Sequence, residues 1–194
     1  MSLLPEPLQT LERLGHAVFT RGDYNLNIVC VRNDLAPEPN AFDDVITVTY
    51  RVQNKWHSIW YPATTDPGRY WLLHPMRLEG TAILVPGQYR GSHQIGLHKG
   101  KPGLVQVGEL EIYRDNDRDE YLDPVGDTRR GYYGINVHRA GTNSTQVDKW
   151  SAGCMVFKSS YHCDELMTLC EQSSELYGDR FTVTLIKASD LKKQ

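Results

Sequence analysis

The sequence predicts a mainly β fold of the sandwich or barrel type, with one long helix near the C-terminus. Short runs rich in valine, isoleucine, threonine and aromatic residues recur along the chain, and proline and glycine turns separate them. One long segment, 160–177, instead carries its apolar residues at helical spacing. We therefore expect a single β-rich domain over residues 21–194, preceded by an N-terminal helical segment over residues 1–20.

The N-terminal segment contains leucines at helical spacing. Leu8, Leu11 and Leu14 recur every three residues, which places them on one face of a helix. This spacing predicts a short amphipathic helix within residues 5–19.

The strands follow in chain order, and the second shows the clearest pattern. Ile46, Val48 and Tyr50 alternate with polar residues, as in a strand with one buried face. The predicted strands lie at residues 24–31, 45–52, 55–61, 81–85, 104–113 and 181–186. Turns are predicted at residues 65–68, 86–87 and 101–103.

The C-terminal helix carries two of the four cysteines, Cys163 and Cys170, and Gly178 follows it as a stop signal. Two helical turns separate these cysteines by roughly 10 Å, whereas a disulfide needs Cα atoms within about 7 Å. We therefore interpret them as buried thiols that pack like small apolar side chains. The same interpretation applies to Cys30, which lies in an apolar strand.

Composition excludes several classes of function. The 194 residues are 40% hydrophobic and 23% charged, and the formal net charge is −3. That charge argues against a nucleic-acid partner, and no apolar run is long enough to span a membrane. The first fifteen residues contain neither a basic region nor an apolar core, so no Sec signal is visible.

Cys154 differs from the other cysteines because small residues precede it. The segment 150–157 reads WSAGCMVF, so Gly153 and Ser151 stand directly before an apolar, strand-like run. Such a turn exposes backbone amides beside the thiol, which is what acyl transfer needs in a nucleophile and an oxyanion hole. We expect the amides of Gly153 and Cys154 to form that hole and Ser151 to fix the loop.

His138 is the candidate general base. It ends a short apolar run, residues 134–138, and stands sixteen residues before Cys154 with a polar loop between them. Two adjacent strands joined by such a loop can bring an imidazole within hydrogen-bond reach of a thiol. The imidazole would then accept the thiol proton, and the resulting ion pair would lower the pKa of the thiol.

These residues resemble the catalytic segment of the L,D-transpeptidase family. That family has a strand ending in Ile-His-Gly, then a loop, then Ser/Thr-His-Gly-Cys. Here residues 136–139 read NVHR and residues 151–155 read SAGCM, so the resemblance covers about residues 131–157. The matching positions are His138, Ser151, Gly153 and Cys154.

The resemblance implies a β-rich catalytic fold, peptidoglycan stem peptides as substrate, and no metal or organic cofactor. In the family, the thiolate attacks the carbonyl of a diamino acid at its L-centre. An amine acceptor then gives a cross-link, and water gives carboxypeptidase or endopeptidase cleavage. Because no Sec signal is visible, we expect the cell wall to be reached by phage lysis, in a virion or through a secretion machine. Otherwise the protein would be cytoplasmic.

Two departures from the family pattern affect the expected site. Ala152 replaces the second histidine of the motif, and the arginine expected shortly after the cysteine is absent. Arg139, directly after the histidine, is a candidate replacement that would anchor a substrate carboxylate, with a solvated arginine as the alternative. Tyr132 and Tyr133 precede the histidine strand and are candidates to line the cleft.

Two further patterns give alternatives. His93 and His98 suggest a zinc peptidoglycan hydrolase, although a third ligand is not evident; His98 is also a candidate for the rim of the cleft. A catalytically inactive wall-binding or phage structural module of the same fold is a second alternative, because the second histidine of the motif is missing.

An acidic stretch at residues 115–123 has the spacing of the first part of a calcium loop. Glu120 stands where such a loop has glycine, and Gly126 stands where it has glutamate. A solvated acidic loop is therefore the alternative to calcium binding. The carboxylates at loop positions 1, 3, 5 and 9 are Asp115, Asp117, Asp119 and Asp123.

Overall fold

The computed structural model describes residues 4–191. It is mainly β, as predicted, with eleven strands and four helices in these residues. In chain order the elements are α1 Glu6–Arg13, β1 Asn27–Arg32, β2 Asp44–Val52, β3 Lys55–Thr64, α2 Arg69–Leu73, β4 Thr81–Leu84, β5 Gly87–His98, β6 Lys101–Gln106, β7 Leu110–Asp115, β8 Arg129–Gly131, β9 Val137–Arg139, β10 Met155–Phe157, α3 Ser160–Tyr177, β11 Arg180–Lys187 and α4 Ala188–Leu191.

Eight strands close into a barrel in the order β1-β11-β5-β6-β9-β10-β3-β2. Neighbouring strands are antiparallel except for two parallel pairs, β1 with β11 and β9 with β10. The main core combines barrel residues with the buried face of α3, including Leu166 and Cys170. The helix therefore belongs to the same apolar core as the strands that carry the candidate site.

A separate three-stranded antiparallel sheet, β4-β7-β8, packs beside the barrel. Leu84 of β4 and Ile112 of β7 are fully buried and join the main core. The backbone of Ala82 in β4 lies against the loop that precedes β10. This small sheet thus provides one wall beside Cys154.

The N-terminal helix is shorter than the predicted segment and packs on the barrel. Helix α1 ends at Arg13, and Gly15 follows with φ at +76°. Leu8 and Leu11 are buried in a second apolar cluster together with Val29 of β1. The helix thereby covers the face of β1 that points away from the main core. Of the predicted N-terminal segment, residues 1–3 lie outside the described residues.

The long helix and most strands lie where the sequence predicted them, but the middle of the chain differs. Helix α3 has the predicted bounds. The predicted strand 104–113 is two strands, β6 and β7, separated at residues 107–109. Strand β5 was missed because glycines and polar residues interrupt its apolar pattern. The predicted turn at 101–103 lies inside β6, and the actual turn is Lys99–Gly100, where both residues have positive φ.

The cysteines on the strand and on the helix are as expected. Cys30, Cys163 and Cys170 are free and buried, and burial raises the pKa of each thiol. No helix within residues 4–191 is long and apolar enough to cross a bilayer.

Candidate active site

Parallel pairing of β9 with β10 brings the two motif segments together. His138 pairs with Val156, which lies two residues after Cys154. Parallel neighbours need a crossover of about a dozen residues or more, whereas a two-residue turn suffices for an antiparallel hairpin. The chain between the strands, residues 140–154, provides that crossover. The spacing of sixteen between histidine and cysteine is therefore a consequence of a parallel register.

His138 and Cys154 lie on the same face of this strand pair. Side chains alternate along a strand, so residues two apart share a face. Met155 and Phe157 belong to the main core, whereas Cys154 and Val156 form a separate small cluster with Ala140. The face that carries the thiol and the imidazole is thus the one directed away from the main core.

The imidazole of His138 has one nitrogen anchored and one free. Its Nδ1 donates to the carbonyl of Arg139 at 2.9 Å, so Nε2 carries the lone pair of the neutral ring. Nε2 is buried and has no hydrogen-bond partner among residues 4–191. Burial lowers the pKa of His138 to about 4, against the opposing effect of the Arg139 carbonyl. The ring is therefore a neutral base at physiological pH.

His98 and Asn136 position this imidazole. The His98 ring stacks on the His138 ring, with centroids 4.0 Å apart and planes 11° apart. The side-chain amide of Asn136 donates to His98 Nδ1 at 2.9 Å. The predicted rim position of His98 is thus beside the candidate base. Sequence analysis missed Asn136, although its place two residues before His138 in the same extended segment was a usable signal.

The thiol of Cys154 lies among backbone groups. The amide of Asn136 donates to Sγ at 3.4 Å, and Sγ donates to the carbonyl of Gly134 at 3.5 Å. The residue is 8% exposed. Burial raises the pKa of the thiol, and the Asn136 amide and the Lys99 charge only partly offset this effect.

The expected thiolate–imidazolium pair is absent from this structure. No hydrogen bond joins Cys154 Sγ to His138 Nε2, since that nitrogen is without a partner in the described part of the chain. The prediction of a lowered thiol pKa is wrong for this state, because burial opposes the charged form of both groups. Burial therefore favours the neutral thiol of Cys154 and the neutral imidazole of His138.

The loop before Cys154 is fixed by Ser151 and Gly153. The buried Ser151 hydroxyl donates to the Cys154 carbonyl at 2.8 Å and accepts from the Gly153 amide at 3.1 Å. Gly153 has φ at +118°, and a Cβ there would lie 2.4 Å from the carbonyl oxygen of Ala82. This position therefore requires glycine for both its conformation and its space.

The predicted oxyanion hole needs a correction. The Gly153 amide is engaged by the Ser151 hydroxyl and is not available to a substrate oxygen. The Cys154 amide forms no hydrogen bond within residues 4–191. Of the two predicted donors, the structure leaves the Cys154 amide free. The physical reason is that the serine which fixes the loop uses one of the loop amides to do so.

A cavity of about 570 Å³ opens beside this loop. Ala152, Tyr132 and Tyr133 all line it, so the two tyrosines share a cavity with the loop that precedes Cys154, and their role in substrate binding stays a prediction. Residues of the small sheet β4-β7-β8 and of the segment 76–80 before it contribute other parts of the lining. Further lining residues include Trp71, Arg77, Glu79, Arg114 and Arg129.

Arg139 does not take the predicted place in the cleft. It is adjacent to His138 in β9, so its side chain emerges on the opposite face of the strand. Its Nε donates to the carbonyl of Ala140 at 3.2 Å, and its charge acts on Cys163 of α3. The proposed role of Arg139 as a carboxylate anchor is therefore incorrect, because alternation along the strand separates it from the thiol.

The zinc alternative also fails on geometry. His93 is fully buried, with Nε2 donating to the Ile135 carbonyl at 3.0 Å and Nδ1 lying 2.8 Å from the Ser92 hydroxyl. Both of its nitrogens are thus engaged within the fold. Neither His93 nor His98 belongs to a group of potential metal ligands among residues 4–191.

The acidic loop gathers three of its four predicted carboxylates. Asp117, Asp119 and Asp123 each place one oxygen within 4.8 Å of the others. Asp115 is buried outside that group, and its Oδ2 accepts from the Asp123 amide at 3.0 Å. Burial raises the pKa of Asp115 to about 6. Calcium binding by this loop stays a prediction.

Comparison with known proteins adds no relative. The chain matches no protein-family model, no curated protein and no solved structure.

Proposed function

We propose that this protein is a cysteine-dependent acyl transferase or peptidase that acts on peptidoglycan stem peptides. The observation that carries the proposal is the parallel pairing of β9 with β10, which pairs His138 with Val156, two residues after Cys154. That histidine is anchored through Nδ1 and free at Nε2. An anchored imidazole with one free lone pair is the arrangement that general-base catalysis uses. The substrate class comes from the resemblance of residues 131–157 to the L,D-transpeptidases.

In the first half of the reaction, His138 Nε2 accepts the thiol proton as Cys154 Sγ attacks the peptide carbonyl carbon. For this transfer the thiol turns from the Gly134 carbonyl towards the imidazole. The carbon–sulfur bond forms, and the Cys154 amide donates to the oxyanion of the tetrahedral intermediate. The carbon–nitrogen bond then breaks, and His138 returns the proton to the leaving amine. The product is a thioester on Cys154 and a free amine.

In the second half, an amine or water attacks the thioester. His138 again accepts the proton of the nucleophile and delivers it to the departing sulfur. An amine acceptor gives a new peptide bond, and water gives a carboxylate. Both outcomes restore the thiol, so no oxidant, reductant or metal is required.

The test is digestion of purified muropeptides, followed by mass spectrometry of the products. Wild-type protein is expected to yield cleaved or cross-linked peptides, and intact-protein mass spectrometry should show an acyl adduct on Cys154. Cys154→Ala should abolish both signals. Cys163→Ala is the matched control, because it removes another buried thiol, which belongs to the main core rather than to the cluster that contains Cys154. Products that are unchanged in Cys154→Ala would contradict the proposal.

An inactive wall-binding module is the second candidate, and one observation favours it. The thiol is neutral, nearly buried and not hydrogen-bonded to His138. If the protein is a binding module, wild type and Cys154→Ala should sediment equally well with insoluble peptidoglycan, and neither should generate products. Product formation that depends on Cys154 would eliminate this alternative.

A further inference from the structure

Three arginines converge on the cavity beside the nucleophile loop. Arg77 and Arg129 are exposed, and Arg114 is partly buried; Arg114 lies in β7 and Arg129 in β8 of the small sheet. Within residues 4–191, the ion pairs involve Arg32, Arg69 and Arg130, and none involves these three arginines. One acidic residue, Glu79, also lines the cavity. Three positive charges and one negative charge give this wall a formal charge of +2 in a chain of net charge −3.

Arg114 is held in place with part of its guanidinium unused. Its Nη1 donates to the carbonyl of Gly80 at 2.8 Å, and its guanidinium lies 5.4 Å from the ring centre of Tyr133. Its Nε is buried and has no hydrogen-bond partner in the described part of the chain. Burial lowers the pKa of Arg114; the charge of Glu79 opposes this effect, and the charges of Arg129 and Arg77 add to it. Arg114 is thus held in place with one buried donor unused, and the three arginines face a single carboxylate in the cavity lining.

The cluster lines the same cavity as the loop that leads to Cys154, whereas Cys154 and His138 themselves do not line it. Ala152, which lines the same cavity, stands two residues before the nucleophile. A peptide with its carbonyl at Sγ would therefore place neighbouring groups against this wall. Guanidinium groups bind carboxylates in two-point, charge-assisted hydrogen bonds, which makes arginine well suited to select an acidic group.

We propose that Arg77, Arg114 and Arg129 form a binding site for a carboxylate of the acyl-donor peptide. This inference rests on the proposed function for the identity of the ligand as a peptide. It supplies the carboxylate anchor that Arg139 cannot provide, because Arg139 emerges on the opposite face of β9. The site selects donors that carry a free carboxylate near the scissile bond over donors in which that group is amidated.

Binding is measured separately from chemistry, in protein carrying Cys154→Ala. The probes are a stem tetrapeptide with free carboxylates and the same peptide with those carboxylates converted to primary amides, titrated by calorimetry at low salt. We expect the free acid to bind at least about tenfold more tightly, with a preference that shrinks as salt is added. Arg77→Gln and Arg129→Gln should each remove most of this preference, and both residues are exposed, so folding is not at risk.

Arg130→Gln is the matched control. Arg130 is adjacent to Arg129 in β8 but pairs with Glu109 and does not line the cavity. Its substitution should leave the preference for the free acid intact. Equal binding of the two peptides, or an equal loss in all three variants, would overturn the carboxylate site.

Turnover separates this inference from the proposed function. In active protein, Arg77→Gln should raise the KM for the free-acid peptide severalfold with little change in kcat, since it acts on binding. Absence of any turnover together with selective binding would contradict the acyl-transfer proposal and leave the carboxylate site standing. Turnover without a preference for the free-acid peptide would contradict the carboxylate site and leave the acyl-transfer proposal standing.

Discussion

Two buried histidines, His93 and His138, are both neutral but differ in the hydrogen bonds that their rings make. Burial lowers the pKa of each to about 4, so both rings are neutral. His93 engages both nitrogens, one with Ser92 and the other with the Ile135 carbonyl. His138 engages only Nδ1.

This difference separates a structural histidine from a candidate base. Most buried polar atoms in proteins have hydrogen-bond partners, so a buried nitrogen without one calls for an explanation. At His93 the fold uses the full hydrogen-bonding capacity of the ring. At His138 it fixes the ring and leaves a lone pair unused on the face that carries Cys154. Hydrogen bonding, rather than burial or pKa, therefore distinguishes the two sites.

The largest expected effect is the loss of activity in His138→Gln. Removing a positioned general base should lower kcat/KM by about 10²- to 10⁴-fold. The variant also loses the Nδ1 hydrogen bond to the Arg139 carbonyl and the stacking on His98, so turnover is expressed per folded molecule. The measurement is muropeptide turnover beside a thermal unfolding curve. Retained turnover in this variant would remove His138 from the mechanism.

The next effect is a pH dependence of stability that both histidines share. Each folded-state pKa of about 4 lies below the ordinary value of 6.5, so the unfolded chain binds more protons between these values. The contribution of each histidine to the free energy of unfolding is fully present above pH 6.5. It falls by on the order of 3 kcal/mol as the pH drops towards 4. Denaturant unfolding across this range checks the prediction. Burial raises the pKa of Asp115 to about 6, so its protonation stabilises the fold over the same range. The histidine contribution is therefore the difference between wild type and His93→Ala or His138→Gln, and a difference that does not vary with pH would contradict the assignment of that ring as neutral.

His93→Ala should destabilise the fold without a direct effect on the proposed reaction. It leaves a cavity in the core and removes the partner of the Ile135 carbonyl, which together cost about 2–4 kcal/mol. Denaturant unfolding measures this loss, and turnover per folded molecule at low temperature should remain near wild type. If His93→Ala abolished turnover while remaining folded, the contrast between the two histidines would be wrong.

The smallest effect concerns the support of the His138 ring. Asn136→Ala removes the hydrogen bond to His98, whose ring stacks on His138. We expect a decrease in kcat of about tenfold, corresponding to about 1.4 kcal/mol, with little change in KM. His98→Ala should give a similar decrease, and the double variant should be no worse than either single variant, because both break the same support. Fully additive losses would show that the two residues act independently.

The sequence predicted the elements whose patterns are local. Helix α3 was located to the residue because its apolar face repeats over many turns and Gly178 ends it. Strand β2 was located within one residue from its alternation. Strand β5 was missed because its partners in the barrel, rather than its own pattern, stabilise it.

The candidate site was predicted in part for the same reason. The order and spacing of His138 and Cys154 are properties of the chain, and the pairing of β9 with β10 brings the two segments together. The prediction of Arg139 as an anchor was wrong because Arg139 and its sequence neighbour His138 lie on opposite faces of the strand. The arginines that line the cavity come from three distant segments, so no local pattern groups them.

By itself, the sequence determined the class of fold and the long helix, and it predicted His138 and Cys154 as the candidate catalytic pair. Periodicity and motif spacing are local quantities, and these features depend on nothing else. Tertiary structure alone decided which amides remain free, which nitrogen of each histidine is engaged, and which arginines meet beside the nucleophile. Each of those depends on atoms brought together from far apart in the chain.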